Sequence, residues 1–116
     1  MKYTHIYTGE DGASRFEDKE VALQDGGAIG RLSAPMPATG VIFRETDPDY
    51  DYDWHPVPQR QWIIMLEGEL EVEVGNGEKR HFSAGDVMLF EDTTGQGHRS
   101  RTTNGQLRKT LFVTLD

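Results

Sequence analysis

Histidine offers the most versatile chemistry in this sequence: four are present, at positions 5, 55, 81 and 98, and cysteine is absent. Without thiols there can be no disulfide, no thiolate nucleophile and no thiolate zinc site, so any metal must be held by imidazole nitrogen or by oxygen. Oxygen is plentiful. Glu45, Asp47, Asp49, Asp51 and Asp53 recur at every second residue, a spacing that invites calcium. Asp49, Asp51 and Asp53 match the first three ligand positions of an EF-hand loop, but Trp54 stands where that loop needs glycine and Arg60 where it needs its closing glutamate. The stretch therefore reads as a solvated acidic loop, with Tyr50, Tyr52 or Trp54 available to pack over a cavity. Glu91 and Asp92 form a second carboxylate pair. Neighbours on a strand point to opposite faces, so at most one of the two enters a site, and Asp92, Thr93 and Thr94 are also suited to capping a turn. No serine sits in the glycine-flanked elbow that nucleophilic hydrolysis uses. His5, near the amino terminus, and His81, on a charged run, read as ordinary surface histidines.

The elements that would position these side chains are short. Gly40 to Arg44, Gln61 to Leu66, Glu69 to Val74, Lys79 to Phe82, Asp86 to Phe90 and Leu107 to Leu115 are apolar or alternating runs bounded by glycine, proline or acidic clusters, and read as strands. In Glu69 to Val74 the alternation is strict, with Leu70, Val72 and Val74 on one face and three solvated glutamates on the other. Gly75-Asn76-Gly77-Glu78 tolerates positive φ, and Lys79-Arg80-His81-Phe82 supplies basic partners, so a hairpin is expected. Asn104-Gly105 marks a second turn, between Arg99 to Thr103 and an apolar last run. Phe16 to Leu23 is compatible with a short helix or a strand, and we read it as a strand. Gln24 to Gly40 is loop or irregular edge by its glycine and proline content. Many short strands with almost no helical periodicity predict a single antiparallel all-β sandwich or barrel.

Length and charge narrow the partners. A chain of 116 residues is one domain. Its net charge of −8 works against nucleic acid and anionic membrane surfaces, whose phosphates its field would repel. No apolar run approaches a membrane span and the first residues lack a signal peptide's apolar region, so a cytoplasmic protein with a small-molecule partner is expected.

Two segments resemble the cupin superfamily. Trp54 to Leu70 is similar to the first cupin motif, a histidine-bearing strand leading to the turn Leu66-Glu67-Gly68-Glu69. Gly85-Asp86-Val87-Met88-Leu89-Phe90, continuing to His98, is similar to the second. The resemblance runs from about Trp54 to His98 and implies an antiparallel double-stranded β-helix, or jelly-roll, barrel over 1–116, with pairing into a homodimer through an edge strand. The carboxyl-terminal strand or the amino-terminal one could supply that edge.

The same resemblance implies a metal site but a depleted one. Counting back from Gly68, Gln61 fills the position of the family's glutamate, and the paired histidines become His55 and Val57. His98 takes the place of the second-motif histidine. His55, Gln61 and His98 are thus the candidate ligands for one divalent transition metal (iron, nickel, copper or zinc), and a site without an anionic ligand attracts such an ion weakly. Two functions follow. One is a binding module that encloses a small polar ligand, with no metal. The other is a metal-dependent enzyme, dioxygenase-like or isomerase-like, using the reduced His/Gln/His set.

Overall fold

The computed structural model describes residues 1–116. Its strands are β1 (Lys2–Thr8), β2 (Ser14–Glu20), β3 (Gln24–Asp25), β4 (Arg31–Leu32), β5 (Gly40–Thr46), β6 (Asp51–His55), β7 (Gln61–Glu67), β8 (Glu69–Glu73), β9 (Lys79–Ser83), β10 (Val87–Phe90), β11 (His98–Arg101) and β12 (Arg108–Thr114). A six-stranded sheet runs β2-β1-β10-β7-β12-β5, and a four-stranded sheet runs β6-β11-β8-β9. The sequence reading of an all-β barrel holds, although it is not wholly antiparallel, because β1 lies parallel to β10; the segment read as a strand over Phe16 to Leu23 is one, but it runs Ser14–Glu20 and ends before Val21. No helix is long and apolar enough to cross a membrane.

The period of two along each strand decides what lies between the sheets. From the larger sheet β7 turns Gln61, Ile63 and Met65 inward, each buried. From the smaller sheet β8 contributes Leu70 and Val72, continued by Val74 just beyond its end. Ile6, Val57, Phe82, Met88 and Phe90 complete the core. Full burial of one such side chain contributes about 1.5–3 kcal/mol, so this cluster holds the sheets together. The turns agree with the sequence. Glu78 N–H donates to Asn76 Oδ1 at 2.9 Å and Gly77 takes φ 86°, closing the hairpin in which Glu73 faces Lys79 and Glu71 faces His81.

Three local readings change. The acidic stretch is not a loop throughout, because Asp51 to His55 form β6, held in an antiparallel ladder to β11. Gln24 to Gly40 is mostly irregular but carries the small ribbon β3-β4. The carboxyl-terminal strand β12 cannot offer a pairing edge, since β7 and β5 flank it; the edges of the larger sheet are β2 and β5. On β5, Val41, Ile42 and Phe43 are all exposed.

Glu71 also departs from expectation. It is buried, not solvated, because Arg101 Nε donates to its Oε1 at 2.8 Å and His81 Nε2 lies 3.0 Å from Oε2. The Arg101 hydrogen bond holds the Glu71 carboxyl below the usual glutamate range despite burial. A carboxyl lowered in the folded state stabilises the fold above its unfolded value, roughly pH 4.3, and that contribution is lost as pH falls through the folded value. Arg101→Gln is therefore expected to lower Tm at neutral pH, with the difference from the parent closing in acid. Thermal melts at pH 7 and pH 3 check this; a constant difference across that range would refute the pairing.

Candidate functional site

The cavity lies between the sheets, bordering the core. Its volume is about 340 Å³, and Val57, Ile63, Leu70 and Phe90 belong both to the core cluster and to its wall. The β5, β12 and β7 ladders build the floor in rows. Ile42, Phe112 and Ile63 lie side by side across the three strands, and Arg44, Thr110 and Met65 form the next row. Arg108 lies opposite Thr46 one step further on.

The opposite wall carries the histidines. His55, at the end of β6, and His98, at the start of β11, are cross-strand partners, and their ring centroids are 4.6 Å apart. Each ring is anchored from behind. His55 Nδ1–H donates to the Asp53 carbonyl at 2.7 Å. His98 Nδ1–H donates to Asp92 Oδ2 at 2.6 Å, and the same carboxylate oxygen accepts from Ser14 Oγ at 2.8 Å. The backbone carbonyl of Asp92 accepts from Val57 N–H at 3.0 Å, which ties the loop after β10 to the loop after β6. With Nδ1 engaged in both rings, Nε2 is the atom of each left to meet a ligand. Burial pushes the His55 imidazole below the ordinary histidine value; the Asp53 carbonyl opposes this, and the charges of His98 and Arg44 reinforce it.

Backbone geometry sets this arrangement. Gly97, immediately before His98, has φ 77°, and a Cβ there would overlap the His55 carbonyl and the Pro56 nitrogen. Only glycine lets β11 approach β6 this closely. At the turn between β7 and β8, Gly68 has φ 90°, and a Cβ there would come within 2.9 Å of Arg108 Cα. The glycine of the Leu66 to Glu69 turn thus seats the backbone of a cavity arginine.

His55, Gln61 and His98, the three residues chosen from sequence, line this one cavity, as do Tyr50 and Tyr52. Gln61 is inward, 6% exposed. Trp54 is not part of the wall. His5 and His81 lie elsewhere: His5 Nε2 is 2.6 Å from Glu91 Oε1, and His81 borders Glu71. Glu91 and Asp92 lie in the loop just beyond β10 rather than on a strand, yet they diverge, Glu91 toward His5 and Arg60, Asp92 toward His98. Burial works to raise the Glu91 carboxyl, but hydrogen bonds from Arg60 and His5 hold it below its usual range.

Sequence reasoning missed Arg44, Arg108 and the role of Asp92. Arg108 is 4% exposed; its guanidinium carbon lies 4.7 Å from the Tyr50 ring centroid, with Arg44 at 5.7 Å from the same ring. Burial pushes the Arg108 guanidinium down from its usual value; Tyr50 opposes this and the Arg44 charge adds to it, yet arginine stays protonated. The available signal was an arginine at an inward-alternating position in each of two apolar strands.

This donor set does not fit a tightly held divalent cation. Two neutral-capable imidazoles and an amide share the wall with two guanidiniums, and no group of three or more histidine, aspartate or glutamate side chains is placed to hold an ion. Fixed positive charge and the lack of an anionic ligand both oppose metal binding.

Two sheets closing round a cavity, with polar side chains converging on it from both, define a small β-barrel. The chain belongs to the cupin family: the cupin domain matches residues 45–113. Oryzines biosynthesis cluster protein J of Aspergillus oryzae is 33% identical over 79 residues, covering 66% of this chain and 43% of that protein. The chain thus matches less than half the length of that curated relative. Among solved structures, a sugar phosphate isomerase from a cupin superfamily of Silicibacter pomeroyi superposes with TM-score 0.53 at 20% identity, covering 100% of this chain and 71% of that one. The Cnp3 cupin domain of Schizosaccharomyces pombe superposes with TM-score 0.52 at 14% identity, covering 99% and 88%. At these identities the likeness is one of fold.

Proposed function

We propose that this chain is a binding module whose barrel cavity takes up a small polar ligand, rather than a metal-dependent enzyme. The observation that carries the reading is a cavity of about 340 Å³ with apolar walls on which Tyr50, His55, Gln61, His98 and Arg108 converge, the combination expected of a ligand pocket. Its size is at the lower end for small-molecule sites, so the ligand is a small metabolite.

The metal-dependent reading has one observation in its favour. His55 and His98 are both held through Nδ1 by oxygen acceptors, the support that metal-ligating histidines receive. A metal at Nε2 would supply Lewis-acid chemistry to a bound substrate, with Gln61 the only further donor among the three.

Metal analysis of the purified protein, paired with a fragment screen by ¹H–¹⁵N NMR, separates the readings. The expected result is substoichiometric iron, nickel, copper and zinc, a fold that survives chelation, and saturable shifts confined to the cavity wall. Leu70→Trp, which fills the cavity, is expected to abolish those shifts. Stoichiometric metal that disappears in both His55→Ala and His98→Ala would instead establish the enzyme reading.

A further inference from the structure

The cavity is cationic in a protein that is not. The chain carries 20 acidic against 12 basic residues, yet no aspartate or glutamate lines the cavity, whereas the fixed positive charges of Arg44 and Arg108 do, beside the imidazoles of His55 and His98. Outside the cavity five of the six arginines are matched, and the sixth, Arg31, is exposed on β4. Arg15 pairs with Asp11, Arg60 with Glu91, Arg80 with Asp18, Arg99 with Glu73 and Arg101 with Glu71.

Arg108 stands apart from these. It is almost wholly buried, its hydrogen bond is to the neutral Thr102 hydroxyl at 3.3 Å, and it has no carboxylate partner: Tyr50 favours its charge, while the like charge of Arg44 works against it. Tyr50 places its ring against both guanidiniums and its hydroxyl 2.9 Å from Ser100 Oγ, which fixes the aromatic surface between them. Burying a guanidinium beside another without a carboxylate costs stability that ring contacts only partly offset. An anion entering the cavity removes that cost.

We propose that the cavity is a site for a small organic carboxylate with an apolar body, its carboxylate held by Arg108 and Arg44 and its body against Ile42, Ile63 and Phe112. This deepens the binding-module reading and rests on it. Planar guanidinium presents parallel N–H donors that match a carboxylate. The row formed by Ile42, Phe112 and Ile63 adjoins the Arg44 row on the same floor, so charge and apolar surface are neighbours. A fully hydroxylated ligand would leave its hydroxyl groups unpaired along that row.

The test is an NMR titration of the full chain, reading backbone amides and arginine Nε–H signals. Linear monocarboxylates from acetate to octanoate and benzoate are compared with their primary amides and with inorganic phosphate. The expected result is saturable perturbation of the Arg108 and Arg44 signals. One of the longer carboxylates should bind roughly tenfold or more tightly than both its amide and phosphate. That preference is expected to vanish in Arg108→Gln. Arg44→Gln, at an exposed position and therefore a safe variant should Arg108→Gln fail to fold, is expected to reduce it severalfold. Equal binding of carboxylates and amides would overturn the anion assignment and leave the ligand-binding reading intact. Phosphate binding as tightly as the best carboxylate would overturn the apolar-body assignment. If no probe perturbs the cavity, the carboxylate assignment falls, and the fragment screen alone decides the binding-module reading.

Discussion

Gly97→Ala is expected to destabilise the protein by about 3 kcal/mol or more, combining the cost of a left-handed backbone for alanine with that of overpacking. Gly97 has φ 77°, and the added Cβ would meet backbone atoms of His55 and Pro56, which cannot swing aside as a flexible side chain could. To make room, β11 must separate from β6 at the register pair His98 and His55. Gly77→Ala is the matched control, since Gly77 has φ 86° but open space where its Cβ would lie. It carries only the conformational term, about 1–2 kcal/mol. Urea denaturation of both variants gives the comparison, and histidine ring resonances report whether the two imidazoles have moved apart. Equal losses would show that the close approach at Gly97 does not constrain the site.

Asp92→Ala should be comparably severe, at about 2–5 kcal/mol. Asp92 is completely buried and accepts from both His98 and Ser14, themselves buried. Removing the carboxylate strands two donors away from water as well as leaving a hole. Asp92 Oδ1 has no partner, so the two bonds to Oδ2 must offset the burial of the whole group. Asp92→Asn preserves shape and one acceptor and should lose less. Beyond stability, the His98 ring loses its anchor in Asp92→Ala, so ligand-induced shifts at His98 should broaden or disappear even under conditions where the variant is folded. A variant as stable as the parent would mean that the carboxylate is dispensable to the fold.

How much of this could be read from the sequence depended on whether the information was local. Strand positions followed from alternation and turn chemistry, as in Glu69 to Val74 and the Asn76-Gly77 turn. The candidate residues His55, Gln61 and His98 were placed by the spacing of two short segments, and they do share one cavity. Glu71 was misjudged because its burial comes from Arg101 on β11, thirty residues away and invisible to periodicity. The acidic stretch was misjudged because β6 forms by pairing with β11, not by its own propensity, which aspartate disfavours. Arg44 and Arg108 escaped notice for a related reason. Alternation says that a residue faces one side of a strand, but only the β5-β12-β7 order makes that side the floor of a cavity.

The strand order of the larger sheet also bears on how the molecule is made. β1 lies parallel to β10, with Thr4 beside Met88, more than eighty residues away. It separates β10 from its own hairpin partner β2. Closing loops of that size before any contact rewards them slows folding into the millisecond-to-second regime of all-β domains. Arg44, His55, Gln61, His98 and Arg108 come from five different strands, so no partly assembled chain contains the pocket. A nascent or partly unfolded molecule cannot sequester the ligand, and uptake becomes a property only of the finished barrel. Ligand present during refolding should accordingly slow unfolding while leaving the folding rate unchanged.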